Sequence, residues 1–269
     1  MKLFRFYFFL FALITALKGF ASEEKDNQNH HLTQPFIFVS CSGKTGGHTL
    51  KTSFEALGLE VLHVHSLNHD HYGFIIEQSK NRPILFIDST REMISRKIAS
   101  YFQNLESHLK MSSSHILEKY EQEREQFIDY LIQDFNKKIL FIDRYHTFYW
   151  WKLFGYDVLK GSFDFEKKYQ FKQIGNLYFI NLRLEDVSNW KEIILSIGLP
   201  FDLSRFEILP ENQAKYKYLK NIYSDFLERV TFSQLDFDKI YDMHQNEMSH
   251  FYTESEIENF INKWKSHVH

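Results

Sequence analysis

The chain has 269 residues, 43% of them apolar, enough to bury one large core, and residues 35–269 are expected to form a single domain. A net charge of -3 supplies no basic field for nucleic acid, and a single cysteine excludes an intramolecular disulfide. With 28 Phe and 15 Tyr against only four Pro and ten Gly, the composition argues against long disordered stretches.

The first residues read as an export signal. Lys2 and Arg5 precede an apolar run from Phe6 to Leu17, and Gly19-Phe20-Ala21 offers a small-x-small cleavage pattern. The run is shorter than the roughly twenty residues a membrane span needs. Residues 1–21 are therefore expected to be a signal peptide cleaved after Ala21 or, as the alternative, a signal anchor giving membrane association. Either directs the chain to the secretory pathway, periplasm or lumen. Residues 22–34 are a polar linker.

Phe36 to Val39 is a short apolar run suited to a strand covered on both faces. Behind it Gly43, Gly46 and Gly47 let the backbone turn sharply and approach a ligand closely. A helix starting near His48 or Thr49 aims its unpaired N–H groups into that turn. Lys44 adds a full charge, and Thr45 and Thr49 add hydroxyl donors. The segment is a site for phosphate or a group like it. It is not a Walker A loop, because that pattern needs glycine where Phe38 stands.

Next comes LEVLHVHSL (Leu59 to Leu67), a strand that places His63 and His65 on one face. The cluster His63, His65, His69, His71 lacks metallohydrolase spacing, since Leu67 stands where an aspartate would be needed, and no metal is assigned. Ile84 to Ile87 is the third strand, and Asp88-Ser89-Thr90 offers N-cap residues for the helix that follows. Arg91 stands at that helix start, with Arg96 and Ser100 further along. Arg91 can fork two N–H bonds onto a phosphate, and Lys97 reads as an ordinary solvated charge.

Helical patterning dominates the remainder. Ser113 to Phe135 reads as one helix, a lid or acceptor-side insertion rather than a sheet element. Arg144 to Phe154 reads as another, with Tyr149, Trp150 and Trp151 as core rather than a carbohydrate platform. Gln170 to Leu184 alternates around Gly175-Asn176, a hairpin signal. Glu185 and Asp186 follow as turn and cap residues. Asn212 to Arg229, Asp236 to Gln245 and Thr253 to Lys265 are closing helices.

Taken in order, Gly43-Lys44-Thr45-Gly46, LEVLHVHSL, TREMISRKIASYFQN (Thr90 to Asn104), FGYDV (Phe154 to Val158), INLRLEDV (Ile180 to Val187) and HFYTESEIENFINKW (His250 to Trp264) resemble a known family. They resemble the P-loop sulfotransferases that use 3′-phosphoadenosine 5′-phosphosulfate (PAPS), and more narrowly the bacterial putative capsular polysaccharide synthesis proteins. The resemblance spans most of residues 35–264. It implies an α/β fold with a central parallel sheet flanked by helices and a helical C-terminal part. It also implies a PAPS site made by Gly43, Lys44, Thr45, Gly46, Gly47, His48 and Thr49 around the phosphosulfate, and by Arg91 and Ser100 at the 3′-phosphate. His65, ahead of His63, would deprotonate the acceptor hydroxyl of a carbohydrate or polysaccharide, with Lys44 on the developing charge and no metal. The chain departs from the pattern at Ala99, where the family has serine, at Met93, where it commonly has proline, and at Gly47-His48.

Two other classes stay open. A P-loop phosphotransferase would need a Mg²⁺ carboxylate at a strand end, for which Asp88 is the candidate. A catalytically silent secreted protein keeping the fold would fit Ala99 and the leader. PAPS is made in the cytosol, so an exported sulfotransferase needs PAPS import into its compartment or a different donor.

Overall fold

A computed structural model describes residues 34–41, 43–65, 69–141, 147–209 and 219–269. The leader at 1–21, nearly all of the linker, and the expected helix starts at Arg144 and Asn212 lie outside the described residues. Five strands form one sheet in the order β2-β1-β3-β5-β4. These are β1 (Phe36–Val39), β2 (Glu60–His63), β3 (Ile84–Thr90), β4 (Gln170–Ile174) and β5 (Leu177–Arg183). β2, β1, β3 and β5 run parallel, and only β4 is antiparallel, joined to β5 through Gly175-Asn176. The mostly parallel α/β sheet expected from the strand–turn–helix order is present.

Side-chain alternation divides the interior in two. Phe36, Phe38, Ile84, Phe86, Leu177 and Phe179 face the larger core, where Phe86 stacks on Phe179 at 4.8 Å. Ile37, Val39, Leu85, Ile87, Ile180 and Leu182 face the smaller one. Every residue of β1 and β5 is buried, as central strands covered on both sides require. β4 is an edge strand and exposes Phe171 to Gln173.

Helix α1 (Gly47–Glu55) covers the smaller core with Leu50 and Phe54. α2 (His69–Ser79), α3 (Met93–Gln103) and the short α4 (Leu105–Leu109) lie on the other side, beside α5 (Ser113–Gln122) and α6 (Arg124–Lys138). The single helix expected from Ser113 to Phe135 is two helices, because Glu123 leaves helical geometry at φ -136° and ψ 48°. Ile116, Phe127, Ile128, Leu131 and Phe135 are buried in the larger core, so this pair is a packed layer and not a lid. After β5 come α7 (Trp190–Ser196), α8 (Lys220–Arg229), α9 (Gln234–Phe251) and α10 (Glu254–Lys265). Thr253 and Glu256 form a reciprocal cap at the start of α10.

Four expectations need correction. β2 ends at His63, not Leu67: as an edge strand it pairs only with four-residue β1, so it lasts only as long as β1 does. Asp88, Ser89 and Thr90 do not cap α3. They continue β3 because β5 offers Asn181, Leu182 and Arg183 opposite them. The cap falls to Glu92, whose carboxylate accepts from Ile94 N and Ser95 N, each at 2.8 Å. Lys97 is no solvated charge, being only 4% exposed. The Tyr-Trp-Trp run lies in a 3₁₀ helix, Thr147–Phe154, whose tighter turn cannot bury three successive rings. Only Trp151 is core, donating from Nε1 to Ser40 Oγ at 3.0 Å, while Tyr149 and Trp150 are exposed.

Candidate functional site

Parallel strands bring their C-terminal ends to one edge of the sheet, and there the two strand–turn–helix units meet. β1 and β3 are direct neighbours, so the loop after β1 touches the turn after β3. Ser89 donates its hydroxyl to the Thr45 carbonyl, and Arg91 Nη1 donates to the Lys44 carbonyl at 3.4 Å. Lys44 and Arg91 thus come together at one rim, both half-buried.

The glycines divide the work differently from the expectation. A Cβ on Gly46, whose φ is 93°, would sit 2.5 Å from Trp190 Cη2 and 3.1 Å from Leu184 Cδ1. A Cβ on Gly47 would sit 2.5 Å from His63 Nε2 and 2.9 Å from Cys41 Cβ. These two are glycine because protein packs against them. Gly43 alone of the three has nothing within 4 Å and faces open space. Thr45 is fully buried, its side chain within hydrogen-bonding reach of the Cys41 thiol, whereas His48 is exposed at the start of α1 and Thr49 is half-buried. Lys44 has a φ of 71°, the left-handed region, which costs a residue with a Cβ about 1 kcal/mol.

His63 and His65 do lie on one side, their rings 4.8 Å apart, with His48 a further 4.8 Å from His63. Their chemistry differs. His65 is exposed, and its Nδ1 lies 2.9 Å from the Cys41 carbonyl. A carbonyl only accepts, so Nδ1 carries the proton and Nε2 keeps a lone pair. His63 Nε2 is enclosed against Gly47 with no hydrogen-bond partner. Burial first, then the charges of His65, His48 and Lys51, push the His63 pKa down from 6.5 to about 4. Of the two, only His65 presents an exposed ring to the rim. Among the described residues, no group of three or more His, Cys, Asp or Glu is arranged to hold a metal ion.

Neutral His63 is the form the fold favours. Its stabilisation is fully present above pH 6.5 and is lost as pH falls towards about 4. Allowing for partial solvent screening, the loss is roughly 1–2 kcal/mol. Wild type should therefore lose more stability between pH 7 and pH 4.5 than His63→Phe, measured by urea denaturation. Equal losses would show that His63 is not buried as described.

Around Arg91 the anchoring is long-range. Glu185 accepts the backbone N–H of Glu92 at 2.9 Å and the Tyr252 hydroxyl at 3.0 Å. Desolvation raises the Glu185 pKa, while those bonds and the Arg91 charge pull it back. Asp186 is bound to Arg183 at 2.6 Å and to Lys168 at 3.0 Å. Both lie in the 3₁₀ turn Leu184–Asn189, as expected of turn residues, and in addition Glu185 holds the start of α3 and Asp186 holds β5. Ser100 sits on the seventh residue after Met93, about 10 Å along the α3 axis. Arg96, 7% exposed, lines one small cavity together with Arg91.

The Cys41 thiol is fully enclosed, and burial with the nearby Asp88 charge pushes its pKa well up, so it is no nucleophile. A broad depression of about 920 Å³ near Asp129, Arg229 and His267 lies elsewhere, and none of its lining residues belongs to the sheet or the loop.

Comparison with models of protein families, with curated proteins and with solved structures finds no match. No helix among the described residues is long and apolar enough to cross a membrane.

Proposed function

We propose that the chain is a PAPS-dependent sulfotransferase acting on a hydroxyl acceptor of carbohydrate or polysaccharide type. One observation carries this reading: Lys44 and Arg91 are held at the adjoining ends of β1 and β3, within 3.4 Å through the Lys44 carbonyl. Two cations on neighbouring strand–turn–helix units suit a nucleotide with phosphate at both ends. Gly43 offers open backbone beside Lys44, and Arg91 lines one small cavity together with Arg96.

PAPS supplies a sulfuryl group on a phosphate leaving group; the acceptor oxygen bonds to sulfur as the sulfur–oxygen bond to that phosphate breaks. His65 Nε2 takes the acceptor's proton, and Lys44 balances the negative charge left on the phosphate. Arg91 holds the anion's far end. Asp88 gives the phosphotransferase alternative little support. It is fully buried and its side chain lies on the opposite sheet face from Ser89, the residue that meets the loop. The leader would place this activity in a secretory or periplasmic compartment supplied with PAPS.

The discriminating experiment is retention on immobilised 3′,5′-ADP against immobilised ATP. Retention on 3′,5′-ADP alone, lost in Arg91→Ala, is expected. Retention on ATP alone would point to phosphotransfer, and retention on neither would leave a silent fold.

His65→Ala should lower single-turnover sulfuryl transfer by about 10²–10⁴-fold, the usual contribution of a general base, with 3′,5′-ADP affinity nearly unchanged. His63→Ala should spare the chemical step. The reverse pattern would show that the buried imidazole is the base.

A further inference from the structure

Arg91 and Arg96 share their cavity of about 20 Å³ with Thr90, His244, Glu247 and Tyr252. At about 10–15 Å³ per water, that is room for one or two waters and not for a phosphate. The wall opposite the arginines is α9, and α9 brings its own anion. Glu247 has a side chain only 14% exposed. Its Oε1 accepts the Tyr149 hydroxyl at 2.9 Å, and its Oε2 lies 3.4 Å from His244 Nδ1. Tyr149 shares its 3₁₀ helix with Trp151, which is fastened to Ser40 at the end of β1.

We propose that Glu247 is an internal competitor for the arginine pair and the residue that sets which anions the site accepts. Its carboxylate lines the same small cavity as the two arginines, so a phosphate drawn to that pair would have to displace it. A dianionic phosphate monoester outbids one carboxylate for two guanidinium groups, whereas a monoanion gains nothing by the exchange. Entry then requires the Glu247 side chain to swing out, loosening its bond to Tyr149. Part of each ligand's affinity is spent on that displacement. This inference rests on the reading that the Arg91 end receives a phosphate.

The test is calorimetric binding of 3′,5′-ADP, 5′-AMP and inorganic phosphate to wild type, Glu247→Gln and Tyr149→Phe. Glu247→Gln should bind 3′,5′-ADP about tenfold more tightly, with 5′-AMP, which lacks the 3′-phosphate, changed less than twofold. Tyr149→Phe, which leaves α9 intact, should shift 3′,5′-ADP affinity in the same direction by a smaller factor. If wild type binds 3′,5′-ADP but Glu247→Gln binds it no better, or tightens 5′-AMP equally, Glu247 is no competitor while the proposed function stands. If neither protein binds 3′,5′-ADP, the proposed function falls. Phosphate then decides the inference: tighter binding by Glu247→Gln sustains it for another phosphate ligand, and equal binding or none overturns it.

Discussion

If the proposed sulfotransferase reading holds, Lys44→Gly is expected to abolish sulfuryl transfer without harming the fold. Removing a donor aimed at developing charge costs about 10²–10³ in rate, so sulfuryl transfer from labelled PAPS should fall by that factor in both Lys44→Ala and Lys44→Gly. The two variants should part company in stability. Lys44 lies at φ 71°, where alanine is as strained as lysine and glycine is not. Relief of about 1 kcal/mol in Lys44→Gly offsets the roughly 0.4–1 kcal/mol that glycine costs through the unfolded chain. Lys44→Gly should therefore melt close to wild type. Near-normal turnover in either variant would reduce Lys44 to a surface lysine.

The loop glycines should rank in stability as their surroundings dictate. Gly46→Ala meets the left-handed penalty of about 1–2 kcal/mol and an overpacking cost of about 1–3 kcal/mol. Its new methyl would press on Trp190, fully buried and held by an indole N–H bond to the Arg183 carbonyl at 2.9 Å. Gly47→Ala should cost less, because Gly47 is not in the left-handed region and carries only the overpacking against the His63 ring and Cys41 Cβ. Gly43→Ala should leave stability unchanged within about 0.5 kcal/mol, since nothing stands within 4 Å of it, and act on ligand binding instead. Urea denaturation of the three variants gives the order. A Gly43→Ala variant less stable than Gly46→Ala would mean the loop is not seated on Trp190.

Sequence made the sheet legible where its signals are local. The apolar runs of β1, β3 and β5, the turn at Gly175-Asn176 and the strand–turn–helix order of each unit all follow from patterning within a few residues. Failures came where a partner far along the chain decides the outcome. Asp88-Ser89-Thr90 has the composition of a helix cap, and only the presence of β5 beside it makes it strand. Lys97 sits among helix-face charges, and its burial depends on the layers packed over α3. Gly46 and Gly47 have the look of ligand-facing residues, yet Trp190 and His63 fill the space above them. His63 and His65 are equivalent by alternation. The Cys41 carbonyl and the closeness of Gly47 separate them, and no spacing rule encodes either. Glu247 carried no signal at all, because only the fold brings it to the cavity that Arg91 and Arg96 also line.

The fastening of Arg91 also has a bearing on how the protein is made. Its neighbour Glu92 is held by Glu185, which is held by Tyr252, and the Glu92 carboxylate takes the Trp264 indole N–H at 3.3 Å. A growing chain presents Lys44 and Arg91 early, but the residues that fix Arg91 emerge last. At the usual pace of synthesis, roughly ten to thirty seconds separate Glu92 from Trp264. Through that interval the glycine loop can form on β1 while the arginine end stays unset, so the two halves of the rim are completed at different times and the second waits for the final helix.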